Sequence, residues 1–75
     1  MNISDVIIHI KETLNPDARS ALENSMRKVE GVNSAKFNPG KDHLFLVAYD
    51  TEKTTAAALL AKVRADGWSA QLVGM

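Results

Sequence analysis

Cysteine is missing from the 75 residues of this chain. That one absence excludes disulfides, thiolate metal sites and thiol catalysis together, and it leaves the redox compartment unspecified. An excess of either charge is missing too. Nine basic residues balance nine acidic ones, and neither sign runs in a block. A nucleic-acid binder tracks phosphates with a basic patch, so nucleic acid and other polyanions drop out as partners. Long apolar runs are also lacking. The start, "MNISDVIIHIKE", sets acids and a lysine close around an apolar stretch too short for a signal-peptide core or a membrane span. The expectation is a cytoplasmic protein with no membrane partner. No linker, repeat or low-complexity segment divides the chain, so residues 1–75 read as one domain. At that size a single core leaves little net stability, and most apolar positions must be committed to packing.

What is present reads as six elements. "DVIIHI" (Asp5 to Ile10) is short and β-branched, as in a central strand. Asn15 then stands as N-cap with Pro16 at the first helical position, where its missing N–H is no loss, and Asp17 complements the helix dipole. The spacing of Ala18, Leu22, Met26 and Val29, helped by Ala21 and Ser25, predicts a helix over Pro16 to Glu30. Arg19, Glu23, Arg27 and Lys28 then face water, and Gly31 ends the helix. "VNSAKFN" (Val32 to Asn38), the turn "PGKD" and "HLFLVAY" (His43 to Tyr49) make a hairpin. Thr54 or Thr55 caps a second helix that buries Ala56, Leu59, Leu60 and Val63 and closes at Gly67. "WSAQLV" (Trp68 to Val73) alternates as a last strand. The order is the ferredoxin-like βαββαβ of an α+β sandwich: a four-stranded antiparallel sheet with both helices on one face.

Particular residues match a family as well as the order of elements. "VEGVNSAKFN", "VAYDTEKTT" and "LLAKVRADGWSAQLV" carry a glycine-valine pair after helix one, an aromatic-aspartate pair leaving strand three and a glycine-aromatic pair opening strand four. In that combination the chain resembles the heavy-metal-associated domains of copper chaperones and copper-pumping ATPases. The departure is at the functional centre. Counting back from Gly31, the two cysteine positions of the family's CxxC motif fall on Asn15 and Ala18, and its preceding methionine position falls on Thr13. Copper(I) prefers thiolate and thioether, and an amide oxygen and a methyl group supply neither. The resemblance therefore implies the fold and not the copper transfer. The loop keeps a structural task, since Asn15 can satisfy the helix N–H groups that thiols would face. No cofactor is expected.

The other candidates each have a plainer account. His9 and His43 are the only imidazoles. Strand alternation sends His9 to the helix-free face and His43 to the helix side, so the rings are expected to meet only around the sheet edge, as two solvated histidines. Glu12 and Asp17 flank the old metal loop, yet a calcium or magnesium site needs six or more ordered oxygens, and an acidic helix start accounts for them. Ser20, Ser25 and the threonines lack a histidine-carboxylate arrangement, and "NPGKD" has no P-loop spacing, so no catalytic residues are assigned. Trp68 is expected in the core beneath Pro16, or lining a small pocket there.

Strand three resists the plain account. With Phe45, Val47 and Tyr49 turned to the helices, Leu44, Leu46 and Ala48 face outward, joined by Ile7, His9 and Val73. Burying such leucines and isoleucines contributes about 1.5–3 kcal/mol per side chain. Six of them, three from each of two molecules, match the order of the roughly 4–15 kcal/mol that association costs. A modest interface, with a protein partner or a second copy, is the leading expectation. The rival reading keeps metal handling, through the histidines or through cysteines lent by a partner. Ligand binding between subunits rests on fold analogy alone. RNA binding is disfavoured because the open face has leucines and no ring to stack a base.

Overall fold

The computed structural model describes residues 2–73. The first strand, β1, is Ile3–Ile10, with Val6, Ile8 and Ile10 buried on one side. The first helix, α1, is Pro16–Arg27 and buries Leu22 and Met26. Strands β2 (Val32–Asn38) and β3 (Lys41–Asp50) follow, then α2 (Ala56–Ala65) and the short β4 (Ala70–Leu72). All pairings are antiparallel and the strands lie in the order β2-β3-β1-β4. This is the βαββαβ sandwich the sequence predicts. Its core includes Ile8, Ile10, Phe45 and Val47 from the sheet and Met26, Leu59 and Val63 from the helices. Phe37 stacks on Phe45 with ring centroids 4.7 Å apart.

Boundaries shift for local reasons. The helix α1 stops at Arg27, short of the expected Glu30, because its hydrogen bonds tighten: the N–H groups of Lys28 and Val29 donate to Ser25 and Met26, three residues back. Val29 still packs against the core, so its side chain keeps the helical pattern after the backbone has left it. Gly31 comes later, at φ +95°, and a Cβ there would stand 2.7 Å from the Lys53 Cβ. Two demands on one position, left-handed backbone and no side chain, explain the glycine. Ala21, expected to help the buried stripe, is exposed.

The strand β4 is half the expected length. The Trp68 N–H turns back to the Val63 carbonyl at the end of α2, and the Ser69 N–H goes to the Glu12 carboxylate. Ala70, Gln71 and Leu72 pair with β1, flanked by bonds from the Lys11 N–H to the Ser69 carbonyl and from the Val73 N–H to the Ile7 carbonyl. The expected alternation survives, with Trp68, Ala70 and Leu72 half-buried and Ser69, Gln71 and Val73 exposed. At the exit of β3, the buried Asp50 accepts from the Glu52 N–H through its side chain, and its carbonyl accepts from Lys53 and Thr54. Thr55 then caps α2, its hydroxyl accepting from the Ala58 N–H at 3.1 Å.

Two side chains of α1 expected in water are used by the sheet. Arg27 donates to the Ala35 carbonyl at 2.9 Å, and Glu23 accepts from the Phe37 N–H at 2.9 Å. Both bonds cover the outer edge of β2, which would otherwise present unpaired backbone groups to another strand.

Candidate functional site

Three places gather the candidate residues: the loop before α1, the histidine pair at the end of β1, and the helix-free face of the sheet.

The loop is closed by its own hydrogen bonds. Asn15 is extended, and its Oδ1 accepts from the Ala18 N–H at 2.7 Å. The two positions onto which the resemblance would set the cysteines thus bond to each other and cap the helix. Leu14, between Thr13 and Asn15, is 2 % exposed and anchors the loop in the core. Its carbonyl accepts from Arg19 Nη1 at 2.7 Å, and the same nitrogen lies 3.7 Å from Asp42. Arg19 therefore ties the loop toward the hairpin, a role its place on the polar side of α1 did not announce. Thr13 is exposed.

Glu12 and Asp17 do not converge. Both Glu12 oxygens accept from the Ser69 N–H, at 2.9 and 3.1 Å, while Asp17 lies in the first turn of α1. The Ser69 N–H holds the Glu12 carboxyl below its ordinary pKa against an opposing desolvation, with a smaller contribution from Lys11. Among the described residues, no group of three or more His, Cys, Asp or Glu side chains stands together as metal donors.

The histidines depart from expectation. Their rings stack, with centroids 5.8 Å apart and planes inclined by 23°. The β1–β3 register ends at His9↔Leu44. Beyond it the Ile10 carbonyl is met by the His43 ring, Nδ1 lying 2.8 Å from the oxygen. A carbonyl accepts only, so Nδ1 carries the proton and Nε2 keeps a lone pair whenever the ring is neutral. His43 thus leaves the strand parity shown by Phe45, Val47 and Tyr49 and crosses the end of β1 toward His9. A shallow hollow of about 400 Å³ beside His9 is lined also by Lys11, Ser69, Ala70 and Gln71.

Trp68 is half-buried and packs against the core. It shares a hollow with Ala18, Ala21, Leu22, Ser25 and Asp66, between α1 and the end of α2. Pro16 lies elsewhere, in the groove between α1 and the β2–β3 turn. The expected packing of Trp68 beneath Pro16 is replaced by packing along the α2-facing side of α1.

The helix-free face is built from alternate residues of the strands. Ile7 and His9 on β1 and Leu44, Leu46 and Ala48 on β3 are each half-buried, alternating with fully buried neighbours. Val73 is 41 % exposed beyond β4, and Ile3, overlooked in the sequence, is 47 % exposed at the start of β1. Ile3 has the parity of Ile7, which was the available signal. A shallow hollow of about 400 Å³ crosses this face, with Ile7, Leu46 and Ala48 in its lining and Asp5 and Lys36 among its polar groups.

No protein-family model matches the chain, and no curated protein matches its sequence. Solved structures do match it, closely in shape. Oxidized MerP from Ralstonia metallidurans CH34 superposes with a TM-score of 0.84 at 17% identity, covering 96% of this chain and 99% of MerP. The CopZ metallochaperone gives 0.81 at 22%, covering 91% of this chain and 100% of its own. The N-terminal domain of a potential copper-translocating P-type ATPase from Bacillus subtilis, solved in the Cu(I)-loaded state, gives 0.83 at 20%, covering 95% and 88%. The fold is thus shared with MerP, with the CopZ metallochaperone and with a domain of a potential copper-translocating ATPase. Within that architecture this chain is one without a cysteine. No helix among the described residues is long and apolar enough to cross a membrane.

Proposed function

We propose that this chain is a cytoplasmic, non-catalytic protein-interaction or self-association module, a heavy-metal-associated architecture whose metal loop has become a helix cap and whose open sheet face is the working surface. The observation that carries the reading is the strip of Ile7, Leu44, Leu46 and Ala48 on the helix-free face. Solvated faces of antiparallel sheets normally alternate to polar side chains, and contiguous apolar surface marks contact sites. The loop argues in the same direction. Asn15 takes the Ala18 N–H and the anchor Leu14 is buried, which favours a folding role for the loop.

The test is native mass spectrometry of the untagged protein at several concentrations, alone and with copper(I) or zinc offered and then competed by a chelator. The expected result is a metal-free dimer or higher species that Leu46→Glu abolishes while the circular dichroism spectrum is unchanged. Association indifferent to Leu46→Glu would overturn the reading.

A second reading has one observation in its favour. The neighbours include a metallochaperone and a Cu(I)-loaded domain, and here two imidazoles lie together with one Nδ1 held by a carbonyl, as metal-ligating histidines are often oriented. Against it, stacked rings aim their in-plane lone pairs along parallel directions instead of at one point. This reading predicts chelator-resistant metal that His9→Ala or His43→Ala reduces, and retention unchanged in the double variant would exclude the histidines.

A further inference from the structure

We propose that the occupant of the open face is a second copy of this chain, packed face to face across a two-fold axis that runs over β3 along its length. The proposal rests on the interaction reading above and names the partner.

The sheet register supplies the geometry. Asp5 on β1 and Ser34 on β2 both pair with Ala48 on β3, and Ile7 and Lys36 both pair with Leu46. The face therefore carries two adjacent rows, Asp5–Ala48–Ser34 and Ile7–Leu46–Lys36. A two-fold axis over β3 stacks Leu46 on the partner's Leu46 and lays β1 over the partner's β2. Asp5 and Ile7 then face the partner's Ser34 and Lys36, so that the methylenes of lysine cover the isoleucine and its ammonium reaches the carboxylate. By symmetry this happens twice in each dimer.

The charges on the face fit this occupant. Asp5 and Lys36 are exposed, line the same hollow, and belong to neither of the ion pairs among the described residues. A face with one acid and one base on opposite flanks of an apolar strip complements a turned copy of itself better than a surface of single sign. Edge-to-edge pairing is hindered at β2 by Arg27 and Glu23 and at the other edge, β4, by Arg64, which takes the Ala70 carbonyl; the face is the broader surface left.

The area sets the strength. The three overlapping strands, β2, β3 and β1, about 4.8 Å apart, and three rows of same-side residues about 7 Å apart give a footprint of about 300 Å². A standard interface buries about 800 Å² per partner. The dimer is therefore weak and reversible, and its population rises with protein concentration.

The test compares wild type, Asp5→Lys, Lys36→Asp, an equimolar mixture of those two variants, and Leu46→Glu by sedimentation equilibrium and native mass spectrometry, with circular dichroism as a check on folding. Each charge variant sets like charges against each other twice, and its self-association is expected to weaken about tenfold or more. In the mixture every acid again meets a lysine, and a one-to-one heterodimer is expected to recover wild-type affinity. If the mixture forms no heterodimer while Leu46→Glu still abolishes association, the two-fold arrangement is overturned and the interaction face stands. If Leu46→Glu changes nothing, both readings fall. A wild type that stays monomeric at every concentration overturns the self-association and leaves the face to a different protein.

Discussion

Leu14 and Leu46 are the same residue type in opposite circumstances. Leu14 sits in the loop before α1, 2 % exposed, among backbone groups bonded by Asn15 and Arg19. Leu46 sits on the open face, half-buried, with Ile7 and Lys36 beside it across the register. One end of the molecule has an apolar side chain whose contacts the chain itself completes, and the other has an apolar strip left half-covered. In a domain this small, where each leucine counts toward a thin margin of stability, a half-covered strip is hard to explain by folding alone. The contrast teaches where to look for function in this scaffold: away from the loop and toward the sheet.

The sharpest way to break the contrast is to cut both leucines back. Leu14→Ala is expected to cost about 2–5 kcal/mol, the range for truncating a fully buried leucine. Leu46→Ala is expected to cost about 1 kcal/mol or less in the monomer. Urea denaturation at a concentration low enough to keep the protein monomeric measures both. Equal losses would mean that the face is as much a part of the folding core as the loop is, and the functional contrast would be lost.

The cap comes next in size. Asn15→Ala is expected to lower stability by about 1 kcal/mol, and Asn15→Ser, which keeps an accepting oxygen, by a fraction of that. The same denaturation experiment reads it, with no change expected in self-association. A loss of association in Asn15→Ala without loss of stability would return the loop to the functional side.

Most of this fold was legible because local signals agreed with the packing. Asn15-Pro16 at one helix start, Thr55 at the other, and the alternation of Phe45, Val47 and Tyr49 are each chemically direct, and the structure keeps them. Several of the departures occurred where a side chain replaced a backbone partner. His43 bonds the Ile10 carbonyl past the end of the β1–β3 pairing, which turned its ring toward His9. Glu12 took the Ser69 N–H, which shortened β4. Glu23 and Arg27 moved from solvent to the β2 edge. Strand parity and helical periodicity describe backbone bonded to backbone, so they are silent on such substitutions. The outward residues of β3 were legible because alternation holds in the middle of a strand, but periodicity says nothing of what would cover them.

The smallest effect concerns the tie between the loop and β4, which has no counterpart on the sheet face. Because Ser69 donates its N–H to the ionised Glu12 carboxylate, the folded protein holds that group below its ordinary value of 4.5. A carboxylate depressed in the folded state contributes stability that is fully present above the unfolded value and is lost as the pH falls through the folded one. Glu12 is only partly buried, so solvent screening keeps the effect small, and the site-resolved titration is the measurement that sees it. By NMR, the Glu12 carboxyl is expected to titrate below 4.5, and the Ser69 amide shift to follow with the same midpoint. Glu12→Gln should remove that amide titration and make the acid limb of the stability curve slightly less steep. A Ser69 amide that ignores the Glu12 titration would show that the carboxylate does not hold the end of β4, and the loop would then be less completely closed than the comparison with the open face requires.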